Sequence, residues 1–152
     1  MACGEPTKNH LTTEVIFCYT EDMKQFAGTI VIKDGQVLLV QESHTSAKGL
    51  WSLPIGSVEE NETLVEGAIR ETEEETGYLV KLGKEKTLYM TGEELKSARK
   101  FHQEQVTLTI FEAEVVSGNL LHGEDLLDAK WHPIEELDNL ELRGNWVKDL
   151  IP

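Results

Sequence analysis

From Val106 to Val116 the chain reads VTLTIFEAEVV, a run of β-branched and aromatic residues that is apolar at alternate and intervening positions alike. Successive side chains of a strand point to opposite faces, so such a run needs cover on both sides and belongs at the centre of a sheet. The covering elements can be read from the rest of the chain. Ala27–Gln41 holds two apolar runs, GTIVI and QVLLV, on either side of Lys33-Asp34-Gly35. An Asp-Gly pair between apolar runs predicts a hairpin, because both central positions of a type I′ turn need positive φ. Further strands are expected at Val15–Tyr19, at Trp51–Pro54, over Tyr78–Met90 with a turn near Gly83, and at Ala129–His132. A helix is expected from Glu62 to Thr76, with Asn61 as its cap and Gly77 as its stop. A polar connection with a helical turn should fill 93–104, a turn of helix Ile134–Leu137, and a closing helix Asn145–Ile151. Helices interspersed with strands and hairpins imply a mixed sheet between helices, an α/β (α+β) arrangement.

The length of 152 residues fits one domain, assigned to 13–152 after a loose polar arm at 1–12. The formal net charge of −14 disfavours DNA, RNA and anionic membranes as partners, but permits a small anionic substrate reached through cations. Cys3 and Cys18 show no metal-ligand spacing and read as reduced thiols. No signal peptide opens the sequence and no run approaches the ~18 apolar residues of a membrane span, so a soluble cytoplasmic protein is expected.

The chemistry concentrates between Gly56 and Tyr78. On a helical wheel, Leu64, Val65, Ala68, Ile69, Thr72 and Thr76 form one stripe, which predicts packing on a sheet. Glu71, Glu74 and Glu75 stand at i, i+3 and i+4, a spacing that brings carboxylates together. Gly67 falls between Glu71 and Glu74 and leaves room for a chain segment or a ligand. Glutamates are good helix formers, and for Glu66 and Glu73 a solvated face is sufficient explanation. For the other three it is poor, since eight glutamates between Glu59 and Glu75 face a single arginine, Arg70. Oxygen ligands gathered in this way suit Mg²⁺ or Mn²⁺.

The same segment resembles the Nudix box: Gly56, Glu62, Arg70, Glu71, Thr72, Glu74, Glu75, Gly77 and Tyr78 fall at its spacing, with Thr72 where the family prefers an apolar residue. The resemblance implies the Nudix fold and a pyrophosphohydrolase using Mg²⁺, with Mn²⁺ as a substitute. It implies that Glu71, Glu74 and Glu75 hold the metal together with the backbone carbonyl of Ile55. Arg70 and Glu62 would pair and orient the loop before the helix. A further carboxylate, ligand or base, is expected in the loop before Trp131; Glu124 fits by residue type and Asp125 by spacing, and both also read as a solvated loop.

Substrate markers are sparse. No proline follows the box before Pro133, Tyr89 comes too early for the dinucleoside polyphosphate group, and Ile55 replaces a lysine common in polyphosphate-cleaving members. Elimination among the family's markers leaves a nucleoside triphosphate, oxidised or not, cleaved to monophosphate and pyrophosphate. ADP-ribose and dinucleoside polyphosphates are the alternatives. Resemblance to the members that remove oxidised guanine nucleotides implies a base-reading role for Asn145, which also reads as a helix cap; Trp51 and the box glycine Gly56 complete the substrate-binding set. Trp146 and Phe101 are further candidates for stacking, and Lys96, Arg99, Lys100 and His102 for phosphates or for a solvated loop. The non-catalytic rival is a nucleotide sensor of the same fold, which would be expected to have lost box carboxylates; here they are intact. Dimers occur in the family, so a homodimer is allowed.

Overall fold

The computed structural model describes residues 23–152. The expected strand at Val15–Tyr19, the arm at 1–12 and both cysteines lie outside them. The elements are β1 (Lys24–Lys33), β2 (Gln36–Glu42), β3 (Trp51–Ser52), β4 (Ile55–Ser57), α1 (Leu64–Thr76), β5 (Tyr78–Thr91), α2 (Gly92–Leu95), β6 (Gln105–Gly118), β7 (Leu126–Pro133) and α3 (Asn145–Leu150). Short 3₁₀ turns occupy Thr45–Ala47, Arg99–Phe101 and Ile134–Asn139.

The strands form one mixed sheet in the order β3-β2-β1-β6-β5, with β4 also on β1 and β7 also on β2. β1 runs parallel to β6 from Lys24↔Val106 to Val31↔Ala113, while the other pairings are antiparallel. Asp34 and Gly35 take φ of 52° and 75°, the positive pair that the β1–β2 hairpin demands. β6 sits between β1 and β5, and Val106–Phe111 is buried without a break. Its two faces belong to different layers. Leu108 and Ile110 join Phe26, Leu39, Leu53, Leu95 and Val147 under α2 and α3. Phe111 packs with Ala27 and Ala68 beneath α1. The central strand thus has the two-sided cover its composition requires.

α1 is tied to the sheet by small residues. Ala68, Thr72 and Thr76 are buried, and Thr72 Oγ1 lies 2.7 Å from Thr29 Oγ1 across the layer boundary. Val65, expected in the buried stripe, is 45% exposed, because the contact surface is narrower than the wheel suggests. The cap also differs from expectation. Thr63 Oγ1 accepts from the Glu66 N–H and the Glu66 carboxylate accepts from the Thr63 N–H, a reciprocal capping box. Asn61 lies two residues upstream with φ of 67°, in the turn of the preceding loop. Gly77 ends the helix in the left-handed region, φ 80°, as expected. The space that Gly67 leaves is taken by the loop, since a Cβ there would lie 3.0 Å from Glu62 Oε1 and 3.3 Å from Val58. Near Gly83 there is no chain reversal; β5 continues through an irregularity between Leu82 and Glu85.

Candidate metal centre

The loop before α1 is held by one side chain. Arg70 donates from Nε to Glu62 Oε2 at 2.7 Å and from Nη2 to Glu62 Oε1 at 2.8 Å, a two-pronged ion pair. Nη2 also reaches the Ser57 carbonyl at 2.9 Å, and Glu62 Oε1 accepts from the Glu59 N–H at 2.9 Å. The guanidinium therefore pins residues 57–62 onto the helix. It holds the Glu62 carboxyl down to about 2, chiefly through its hydrogen bonds, and is itself pushed up by them.

Nη1 of the same arginine donates to Glu71 Oε1 at 2.9 Å and Glu74 Oε2 at 3.2 Å. The three box carboxylates are consequently not gathered to one point, as their spacing led one to expect. No group of three acidic or histidine side chains among the described residues is closed around a single position. Arg70 stands between Glu71 and Glu74, and Glu75 turns toward the sheet.

Gly56 explains how Glu71 is seated. A Cβ there would fall 1.9 Å from the Glu71 carboxyl carbon, so the backbone of β4 lies directly against that carboxylate. Burial pushes the Glu71 carboxyl up, with the Arg70 hydrogen bond opposing. Glu75 is raised further. Burial is the main cause, followed by repulsion from Glu42 and then Glu71, while Arg143 and the Ile55 backbone N–H pull the other way. Its Oε1 is buried and has no hydrogen-bond partner. That unmatched oxygen, with the charges of Glu42 and Glu71 acting on it, is a donor of the type a hard divalent cation takes.

The loop carrying Glu124 and Asp125 packs on the C-terminal end of α1. Leu121 N–H donates to the Thr76 carbonyl at 2.9 Å, and Gly123 N–H to the Glu75 carbonyl at 3.1 Å. Both acidic side chains are exposed, one and two residues beyond that contact. Trp51 is half-buried and packs edge-on against His132, ring centroids 4.4 Å apart. Its backbone carries the 141–143 segment, through Trp51 N–H to the Glu141 carbonyl and Arg143 N–H to the Trp51 carbonyl. Asn145 is the exposed first residue of α3; the cap position is Gly144, so the capping role does not fall to Asn145. Trp146 packs on the core. Phe101 lies between Lys24 and Lys100, whose ammonium groups are 5.2 and 5.0 Å from its ring centre.

Two residues that the sequence reading did not single out complete the surroundings of Glu75. Glu42, at the end of β2, accepts from Arg143 Nη1 at 3.1 Å. Glu42 merely ends an apolar run and Arg143 stands alone in a polar stretch, so neither gives a sequence signal.

The family model described as NUDIX domain matches residues 23–152. Nudix hydrolase 6 of Arabidopsis thaliana is 38% identical over 115 residues, 70% of this chain and 37% of that protein. An ADP-ribose pyrophosphatase of Methanocaldococcus jannaschii is 31% identical over 111 residues, 73% of this chain and 62% of its own. The matches thus span less than two thirds of either relative's length. A solved NUDIX hydrolase of Nitrosomonas europaea shares the fold with a TM-score of 0.71 at 20% identity, covering 84% of each chain. Box, fold and family model coincide over the same residues, and the chain belongs to the Nudix family.

Proposed function

We propose that the chain is a divalent-cation-dependent pyrophosphohydrolase acting on a nucleoside diphosphate derivative. The observation that carries this reading is the buried Glu75 Oε1, which has no partner although Glu42 and Glu71 repel the same carboxylate. Leaving a buried acceptor unsatisfied costs about 1–3 kcal/mol, so a ligand that matches the oxygen is expected.

Glu71, Glu74, Glu75 and the Ile55 carbonyl would hold Mg²⁺, or Mn²⁺ in its place. Such a cation, when bound, neutralises phosphate oxygens and acidifies water. The chain's own groups do the rest. Glu62 fixes Arg70, and Arg70 orients the Glu71 and Glu74 carboxylates through Nη1. Gly56 allows the β4 backbone to approach Glu71. Glu124 or Asp125, exposed beside the end of α1, accepts the proton of the attacking water. Trp51 and Asn145 lie on the 141–145 side of the site, where a base would be held.

The substrate is a nucleoside triphosphate, oxidised or not, released as monophosphate and pyrophosphate. ADP-ribose is the second reading, favoured by the similarity to an ADP-ribose pyrophosphatase. Intact box carboxylates speak against a sensor that binds without cleaving. The strongly acidic surface favours small nucleotides over polymeric nucleic acid. Among the described residues no helix is long and apolar enough to cross a membrane, which is compatible with a cytoplasmic enzyme.

A panel of nucleoside triphosphates, 8-oxo-dGTP, ADP-ribose and diadenosine polyphosphates, with and without Mg²⁺ and with products resolved, tests the reading. Mg²⁺-dependent cleavage at a P–O–P linkage is expected. No turnover of any compound, with tight binding of an intact nucleotide, would replace the hydrolase with the sensor.

A further inference from the structure

One residue of β1 is bonded to both halves of the box. Thr29 is fully buried, and its two donors reach different elements. The backbone N–H donates to the Pro54 carbonyl at 3.0 Å, one residue before Ile55. The hydroxyl lies 2.7 Å from that of Thr72, one residue after Glu71. Thr72 is equally buried, and its single hydroxyl proton goes to the Ala68 carbonyl at 2.7 Å. Thr29 must therefore donate to Thr72, and a chain of bonds runs from β1 into the backbone of α1.

Thr72 stands where the family prefers an apolar residue. An apolar pair would hold the helix by contact alone, whereas a hydrogen bond has a preferred length and direction and resists sliding and rotation. There is little slack for either movement. Gly28, beside Thr29, pairs with Ile55, and a Cβ on it would fall 2.0 Å from the Pro54 carbonyl oxygen. Gly56 gives the same close approach to Glu71, where a Cβ would fall 1.9 Å from the carboxyl carbon. On a helical wheel Glu71 and Glu75 lie ~100° and ~60° from Thr72, both on the same side, so a rotation of α1 carries both carboxylates together. About 10° of rotation, at the ~5–6 Å radius of a helix with its side chains, moves them by about 1 Å. A misplacement of that size is enough to cost a reaction about 10²-fold.

We propose that Thr29 is a positioning residue of the cation site. Its N–H fixes β4 beside the Ile55 carbonyl, and its hydroxyl, through Thr72, fixes the rotation of α1 and with it Glu71 and Glu75. The proposal rests on the metal-dependent reading above. It gives the departure of Thr72 from the family's preference a role, and it assigns to β1, outside the box, the alignment of the two box segments.

The test is Mn²⁺ binding to the full chain without nucleotide, followed by electron paramagnetic resonance, with each variant's melting in EDTA as the control for folding. Thr29→Val is expected to weaken Mn²⁺ binding at least about tenfold, the lower end for groups that orient metal ligands. Thr29→Ser keeps the donor and should bind like the wild type. The double variant Thr29→Val/Thr72→Val separates alignment from stability, because replacing both hydroxyls by methyl groups leaves no buried donor unmatched and brings melting back toward the wild type. If the hydroxyl pair aligns the helix, affinity stays low in the double variant although melting recovers. Affinity that returns with melting overturns the proposal, as does wild-type affinity in Thr29→Val. Where neither Val variant folds, Thr29→Ser decides: wild-type affinity supports the assignment, and a tenfold loss shows that packing, not the hydroxyl, places the helix. Loss of binding in Glu75→Gln with none in Thr29→Val would leave the metal-dependent reading standing alone. Failure of the wild type to bind would remove both.

Discussion

Replacing Glu75 by Gln should stabilise the cation-free protein and destabilise the cation-loaded one. The Glu75 carboxylate is raised well above the usual range by burial and by Glu42 and Glu71. A raised folded-state value means that ionisation opposes folding, so the wild type loses stability as the pH climbs from the unfolded value of 4.5 through the folded one. Above the unfolded value the amide removes the cost that burial puts on this group, keeps the volume, and keeps an oxygen for the Ile55 N–H. Relief of that cost is worth about 1–2 kcal/mol, toward the lower end of the cost of leaving a buried polar group unsatisfied. For a domain of this size, that raises the melting temperature by about 3–8 °C. The sign reverses with metal. A cation at 100 times its Kd adds about 2.7 kcal/mol to the wild type, and a variant that no longer binds gains none of it. Calorimetric melts in EDTA and across a Mg²⁺ titration should therefore cross, with Glu75→Gln higher at the start and lower at saturation. Melting of Glu75→Gln at or below the wild type in EDTA would refute the reasoning, because the carboxylate would then be satisfied without a cation.

Other consequences are more local. Gly56→Ala puts a methyl group 1.9 Å from the Glu71 carboxyl carbon, so Glu71 must move; kcat should fall about 10²-fold while the fold, read by circular dichroism, persists. Thr63→Ala removes half of the capping box and should cost about 1 kcal/mol in urea unfolding with no change in the m-value. The Glu62–Arg70 pair is a pH-dependent brace. With the folded carboxyl held to about 2, its stabilisation is complete above the unfolded value of 4.5 and disappears as the pH falls from there toward 2. The stability difference between wild type and Glu62→Gln should shrink across that window, and a difference independent of pH would show that the pair contributes nothing through charge.

Most of the framework was legible because it rests on period and turn chemistry. Val106–Phe111 announced a two-sided core strand, Asp34-Gly35 a type I′ turn, and Gly77 a left-handed helix stop, each from a local physical requirement. What misled were positions where two residues could serve one purpose. Asn61 and Thr63 are both good caps, and Thr63 won because Glu66 stands three residues after it and closes the reciprocal bond. Asn145 likewise looked like a cap, but Gly144 takes the extended conformation before α3. Gly83 suggested a turn, whereas a strand so long absorbs the glycine as an irregularity without reversing. Glu42 and Arg143 were invisible because their pairing spans 101 positions and follows no period.

The spacing of Glu71, Glu74 and Glu75 treats the three as equivalent, and the packing makes them different. Arg70 lies on the face shared by Glu71 and Glu74 and binds both, so their charges are largely answered from within the box. Glu75 stands one position further round the helix, at the edge of the stripe formed by Ala68 and Thr72, and faces the sheet where Arg70 does not reach. Its neighbours there are Glu42, which repels it, and Arg143, which is already engaged. The unmet charge of the segment is therefore concentrated at one side chain. A rigid internal cation would satisfy that oxygen permanently; with none bonded to it, the proposed site leaves Glu75 able to take an ion from solution. Arg70 bonds Glu62, Glu71 and Glu74 and Arg143 bonds Glu42, so neither guanidinium satisfies the buried Glu75 oxygen.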